Sequence, residues 1–223
     1  MVKKNSEKIT IFGSQGELGS YLVKNLSKKY EVIAVSKKNI KISEVHNITF
    51  SELIKSKSWI YPKTKSNKEK IFNSKAIIIT IGKFKKTKNN LNIKLHESNF
   101  EINYKFLNYL VINKKKFKKG CRIIVITSMN ADISNSNSLQ YCMSKAKLST
   151  AIDNFKTQLK DTKISIENLM PGPINTKMKK REITNSLSKN DILQVCNFLV
   201  NLRNDVTLDK IKIFNKKNFF NKY

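Results

Sequence analysis

The sequence predicts an α/β protein with a doubly wound parallel sheet, a Rossmann-type three-layer α/β/α arrangement. Three observations carry this. Short β-branched runs alternate with amphipathic stretches along the whole chain. The runs KAIIITIG (75–82) and RIIVIT (122–127) are apolar on both alternating faces, as strands buried beneath two helical layers must be. A glycine-rich turn, FGSQGELG (12–19), joins the first strand to the first helix.

Taken in order, KITIF (8–12) reads as a strand and 17–30 as a helix through Leu18, Leu22 and Leu26. EVIAVS (31–36) is a second strand, NITF (47–50) a short third, and SELIKSKSW (51–59) a weak helix. After KAIIITIG, the polar stretch 83–96 reads as a loop, and 97–118 as a long helix through Phe100, Leu107, Leu110 and Val111. CRIIVITS (121–128) is a strand, 139–160 a helix, and KISIENLM (163–170) another strand. SKNDILQVCNFLV is a helix opened by the capping pair Ser188 and Asp191, and KIKIF (210–214) closes the series. The lysine-rich segments 64–70, 83–88, 114–119 and 177–181 are expected in loops and frayed ends. The reading is one domain over 1–223, with a lid at 173–190 and a basic tail at 215–223.

The formal net charge is +28, from 41 Lys and three Arg, beside 27 Asn. Nucleic-acid readers use the arginine fork, so this arginine-poor excess argues against nucleic acid as the main partner while favouring anionic ligands. Three scattered cysteines and two isolated histidines exclude a disulfide framework and a metal-site spacing. No apolar run is long enough to cross a bilayer, and the basic start lacks a signal-peptide core, so a cytoplasmic location is expected.

In the turn, Gly13, Gly16 and Gly19 have the spacing of a pyrophosphate cradle, with Ser14, Gln15 and Leu18 between them. Such a turn brings backbone N–H groups and a helix N-terminus to an anion. Glu17 sits awkwardly there unless its carboxylate points to solvent. The second strand ends in Ser36-Lys37-Lys38 with no acid. A hydroxyl followed by ammoniums suits a ribose 2′-phosphate, so NADP is favoured over NAD.

Tyr141 and Lys145 fall one helical turn apart, at the end of an apolar stripe through Leu148, Ile152 and Phe155. A cation about 5 Å from a phenol at an effective dielectric near 20 contributes roughly 3 kcal/mol, or about two pKa units. Lys145 is therefore expected to acidify Tyr141 into a proton donor and acceptor for alcohol/carbonyl chemistry. Ser128 ends a central strand, where open α/β sheets bind ligands. Asn103 shares the apolar stripe of its helix and needs partners for a buried amide.

Glycine turn, Asn103, Ser128 and Tyr141-x-x-x-Lys145 in this order resemble the short-chain dehydrogenase/reductase family, over essentially residues 6–214. MPGPINT adds Pro171, Gly172 and Thr176 of a further family segment. The resemblance implies an oxidoreductase with Tyr141 as acid/base. It gives Lys145 to phenol and nicotinamide ribose, Ser128 to the substrate carbonyl and Asn103 to a relay water. Gly82, Pro171, Gly172, Ile174 and Thr176 would hold cofactor, and a homodimer or homotetramer would be the assembly. The substrate would be a small carbonyl or alcohol, with anionic ones preferred because the lid is rich in Lys and Arg. The chain departs from the family pattern in four places: the middle glycine at 16, TIGK (80–83) in place of Asn-Asn-Ala-Gly, no acid after the third strand, and no C-terminal glycine pair. The alternatives are a non-catalytic dinucleotide-binding regulator on this fold and a sugar-nucleotide-modifying relative. Too little chain follows Thr176 for the substrate domain of the latter.

Overall fold

The computed structural model describes residues 7–42, 45–55, 57, 60–84, 93–117, 119–132, 138–176 and 185–217. Seven strands form one parallel sheet: β1 (Lys8–Phe12), β2 (Glu31–Ser36), β3 (Val45–Thr49), β6 (Ser74–Ile79), β7 (Cys121–Ile126), β8 (Ile164–Pro171) and β9 (Lys210–Ile213). Their spatial order is β3-β2-β1-β6-β7-β8-β9. The chain winds outward from β1 to β3, then returns past β1 to continue from β6. That reversal opens a crevice beyond the carboxyl ends of β1 and β6, where such sheets bind ligands.

Alternation along each strand builds two cores. Ile77, Ile79, Ile123 and Val125 face one layer, with Phe106, Leu107 and Leu110 of α4 (Ile102–Ile112) and Leu148, Ile152 and Phe155 of α5 (Leu139–Leu159). Ala76, Ile78, Ile124 and Ile126 face the other, with Leu22 and Leu26 of α1 (Glu17–Leu26) and Ile192, Cys196 and Leu199 of α6 (Lys189–Asn201). The expected capping pair opens α6: Asp191 N–H donates to Ser188 Oγ at 3.2 Å and Ser188 N–H donates to Asp191 Oδ2 at 2.7 Å.

Three local expectations are corrected. The helix expected over 51–59 is not formed by the described residues of that stretch. A 3₁₀ turn (Phe50–Glu52) leads into an antiparallel hairpin of β4 (Leu53–Lys55) and β5 (Ile60–Pro62). So short a segment cannot nucleate a helix unaided, and strand pairing buries Leu53 and Ile60. Residues 64–70 are not a loop but begin α2 (Lys65–Phe72), capped by Thr64 Oγ1, which accepts from Asn67 N–H at 3.2 Å. Lysine is a good helix former, and Ile71 and Phe72 anchor this helix to the core. The helix expected over 97–118 is α3 (Ile93–His96), a π-type turn (Glu97–Glu101) and α4, ending at Ile112; a 3₁₀ turn (Lys114–Lys116) follows. Part of the expected loop 83–96 is thus helical, while 85–92 and the segment 177–181 lie outside the described residues.

Candidate active site

The glycine turn is dictated by close approach. Gly13 takes φ +93°, and a Cβ there would lie 2.7 Å from Ile81 Cγ1. A Cβ on Gly19 would lie 2.3 Å from the Gly13 carbonyl oxygen, so α1 can rest on the turn only with glycine at 19. Gly16 caps α1 with no side chain to occupy the first-turn N–H groups. A backbone surface at a helix N-terminus is left facing the crevice, as an anion requires. Glu17, the awkward acid, accepts a 2.7 Å bond from Lys189 at the start of α6, which neutralises it.

Two cavities meet in the crevice and share Gly16, Thr80, Gly82 and Lys83. The first, about 630 Å³, is lined by Gly16, Leu18, Gly19, Gly82, Ser128, Tyr141, Lys145, Pro171, Gly172, Ile174 and Thr176 among others. The second, about 620 Å³, is lined by Gly13, Gln15, Ser36 and Lys37 and by residues of the hairpin. Two of the residues singled out by sequence line neither cavity. Ser14 is fully buried, and its backbone N–H donates to Val35 O at 3.2 Å. Asn103, 1% exposed, sits one layer behind. Its Nδ2 donates to the carbonyls of Ile81, Ser98 and Asn99, at 3.2, 3.2 and 3.1 Å. Ser98 and Asn99 belong to the π turn, whose widened ladder frees carbonyls that this amide satisfies.

Lys145 is 3% exposed, has no acidic partner among the described residues, and burial lowers its pKa to about 8. Its Nζ lies 5.9 Å from the Tyr141 ring centroid. Burial raises the Tyr141 pKa, and the Ser128 hydroxyl facing it pulls the other way without winning. The expected acidification by Lys145 is therefore reversed in sign. Desolvation penalises the phenolate more than its polar neighbours stabilise it, and the same desolvation weakens the ammonium. The trio remains a proton donor (phenol), a hydroxyl that can orient an oxygen, and a lysine whose hold on its proton burial weakens.

Sequence reasoning missed several groups. Asn99 binds the Lys83 backbone in both directions, accepting from its N–H at 2.7 Å and donating to its carbonyl at 2.8 Å. It stands one helical turn before Asn103, which was the available signal. Thr80 Oγ1 donates to the Gly13 carbonyl at 3.1 Å, tying the end of β6 to the glycine turn. Phe84 meets Tyr141 edge-on, with centroids 5.1 Å apart. Of the segment 173–190 expected as a lid, Pro173–Thr176 and 185–190 are described; Leu187 N–H donates to Pro173 O and Asn175 N–H to Leu187 O, both at 2.8 Å. Residues 177–184 and 218–223 of the basic tail lie outside the described residues.

The family model for short chain dehydrogenases matches residues 81–186. No curated protein matches the chain. Among solved structures, a short-chain dehydrogenase from Burkholderia cenocepacia in complex with NADP superposes with a TM-score of 0.74 at 14% identity, covering 98% of this chain and 92% of that one. Serine dehydrogenase from Escherichia coli gives 0.71 at 13%, covering 92% and 96%. A short-chain dehydrogenase from Leptospira borgpetersenii with bound NAD+ gives 0.71 at 17%, covering 96% of each. At these identities the structures establish a shared fold.

Proposed function

We propose that the chain is a member of the short-chain dehydrogenase/reductase family, whose model matches residues 81–186, and that it is an NADP(H)-dependent oxidoreductase interconverting a carbonyl and an alcohol. The observation that carries this reading is the convergence of Tyr141, Ser128 and Lys145 on the wall of the cavity that begins at the glycine turn. A regulator that only binds dinucleotide has no use for a phenol, a hydroxyl and a buried lysine around one point.

The residues fit such a cofactor: the Gly13 and Gly19 positions exclude a Cβ, and the uncapped first turn of α1 faces the crevice. Gly82 fits too, since a Cβ there would sit 3.0 Å from Lys145 Nζ. The nicotinamide, when bound, supplies or takes up the hydride. In the proposed chemistry Tyr141 gives its phenolic proton to the developing alkoxide in reduction and recovers it in oxidation. Ser128 donates a hydrogen bond to the same oxygen. Lys145 favours the phenolate at the moment it forms, although burial dominates the resting phenol. Asn103 holds the Ile81 carbonyl and the π turn in place, and its buried Oδ1 is the acceptor for a relay water. Ser36 spends its hydroxyl proton on Lys38 O at 2.6 Å, so preference for a 2′-phosphate rests on lysines. The substrate is a small carbonyl or alcohol, anionic by the charge of the lid.

Fluorescence titration with NADPH and NADH tests this reading, together with turnover of a carbonyl panel. Tyr141→Phe should keep NADPH affinity within about twofold and lose turnover by about 10²-fold or more. Lys37→Glu should weaken NADPH and spare NADH. Retained turnover in Tyr141→Phe would refute the assigned role.

A further inference from the structure

The second cavity departs furthest from the sequence-based picture, because the hairpin forms its outer wall. The register pairs Ser36 with Thr49, and the residues that follow them, Lys37 and Phe50, both line the cavity. A capping interaction fixes that turn: Thr49 N–H donates to Glu52 Oε2 at 2.7 Å. Leu53 and Lys55 are two apart on a strand and so share a face, and both line the cavity. Leu53 is buried, as is Ile60, the residue paired with Lys55, which seats the hairpin firmly. Lys55 is exposed and carries its ammonium 5.7 Å from the Phe50 ring centroid.

The charged residues lining this cavity are Lys37, Lys55, Lys83 and Lys105, with Glu97 and Glu101. Glu101 stands 3.9 Å from Lys105 on the α4 side. Neither Lys37 nor Lys55 has an acidic partner among the described residues. Bare ribose hydroxyls are ordinarily read by a carboxylate at the end of the second strand; here Lys37 follows that strand, and Lys55 lines the same cavity from the hairpin. Two ammoniums without an acidic partner suit a dianion, and the Phe50 ring, stacked on Phe12 at 5.8 Å and lining the same cavity, suits a flat ring.

We infer that the β4–β5 hairpin selects the cofactor: Lys55 and Lys37 bracket the 2′-phosphate of the adenosine ribose, and Phe50 presents its ring to the purine. This rests on reading the crevice as a nicotinamide-dinucleotide site. It adds a phosphate ligand from an element outside the second strand and the glycine turn.

The test titrates the purified chain with NADPH and with NADH. Lys55→Ala should weaken NADPH about tenfold and leave NADH within about twofold. Lys55→Glu should invert the preference, and Phe50→Ala should weaken both nucleotides by a similar factor. Added salt should erode the NADPH advantage of the wild type more steeply than that of Lys55→Ala. Lys55 is exposed, so melting curves of its variants should match the wild type. An NADPH:NADH ratio unchanged in both Lys55 variants overturns the assignment while leaving the crevice reading intact. Binding of neither nucleotide by the wild type overturns the crevice reading, and the assignment with it.

Discussion

Lys145 carries a folding penalty that its neighbours do not remove. Its pKa of about 8 lies below the ordinary lysine value of 10.5, so between those limits the unfolded chain holds a proton that the folded chain has released. Stability from this group therefore rises with pH across that window, and below pH 8 the full penalty stands. Lys145→Met should be more stable than the wild type near pH 7, by up to about 3 kcal/mol as an order of magnitude, and should lose activity. Denaturant midpoints of both proteins at several pH values check this. The advantage should shrink toward pH 10.5, and a constant difference would contradict it. Gly19→Ala should cost at least about 2 kcal/mol, because its Cβ would meet the Gly13 carbonyl at 2.3 Å; a thermal melt decides. The positions of Tyr141 and Lys145 were legible in the sequence from helical spacing alone. The direction of the Tyr141 shift was not, because desolvation depends on everything packed above the phenol.

At the scale of elements, one buried ion pair joins two strands to the last connection. Arg122 of β7 donates through Nη1 to Glu167 of β8, and through Nη2 to the carbonyls of Arg203 and Val206 at 2.9 and 2.8 Å. Glu167 also accepts from Leu208 N–H at 2.9 Å. This pair sets the course of the chain from α6 to β9, the strand that lies beside β8 where Pro171 and Gly172 enter the crevice. Removing one partner leaves a buried charge, which costs about 3–5 kcal/mol. Arg122→Met should therefore lower the denaturation midpoint sharply, and Arg122→Met with Glu167→Met should recover much of the loss. Equal midpoints for the single variant and the wild type would contradict the role. The strands and major helices were legible in the sequence because their apolar periods are local. The hairpin and α2 were not: Leu53, Ile60 and Ile71 gain their burial from partners remote in sequence, while the lysines around them imitate a loop.

For the whole molecule, a net charge of +28 on 223 residues is a repulsive load. The ion pairs that answer it are mostly at the surface, such as Lys156–Asp209, Lys210–Asp153 and Lys212–Asp132, and each contributes little. Screening the excess should help more than it harms these pairs. The melting temperature should rise by a few degrees between about 0.01 and 0.3 M salt, and a fall over that range would mean that the pairs outweigh the repulsion. No helix among the described residues is long and apolar enough to cross a membrane.

Neighbouring residues settle between themselves the strand and helix periods, the glycines of a turn too tight for a Cβ, and the one-turn separation of Tyr141 and Lys145, and all of these can be read from the chain alone. The tertiary structure decided which remote segments meet and how dry each group becomes. Pairing Ser36 with Thr49 brought Phe50 and Lys55 to the crevice, and burial turned the Tyr141 pKa upward. Both follow from contacts and solvent exclusion summed over the whole fold, to which local spacing has no access.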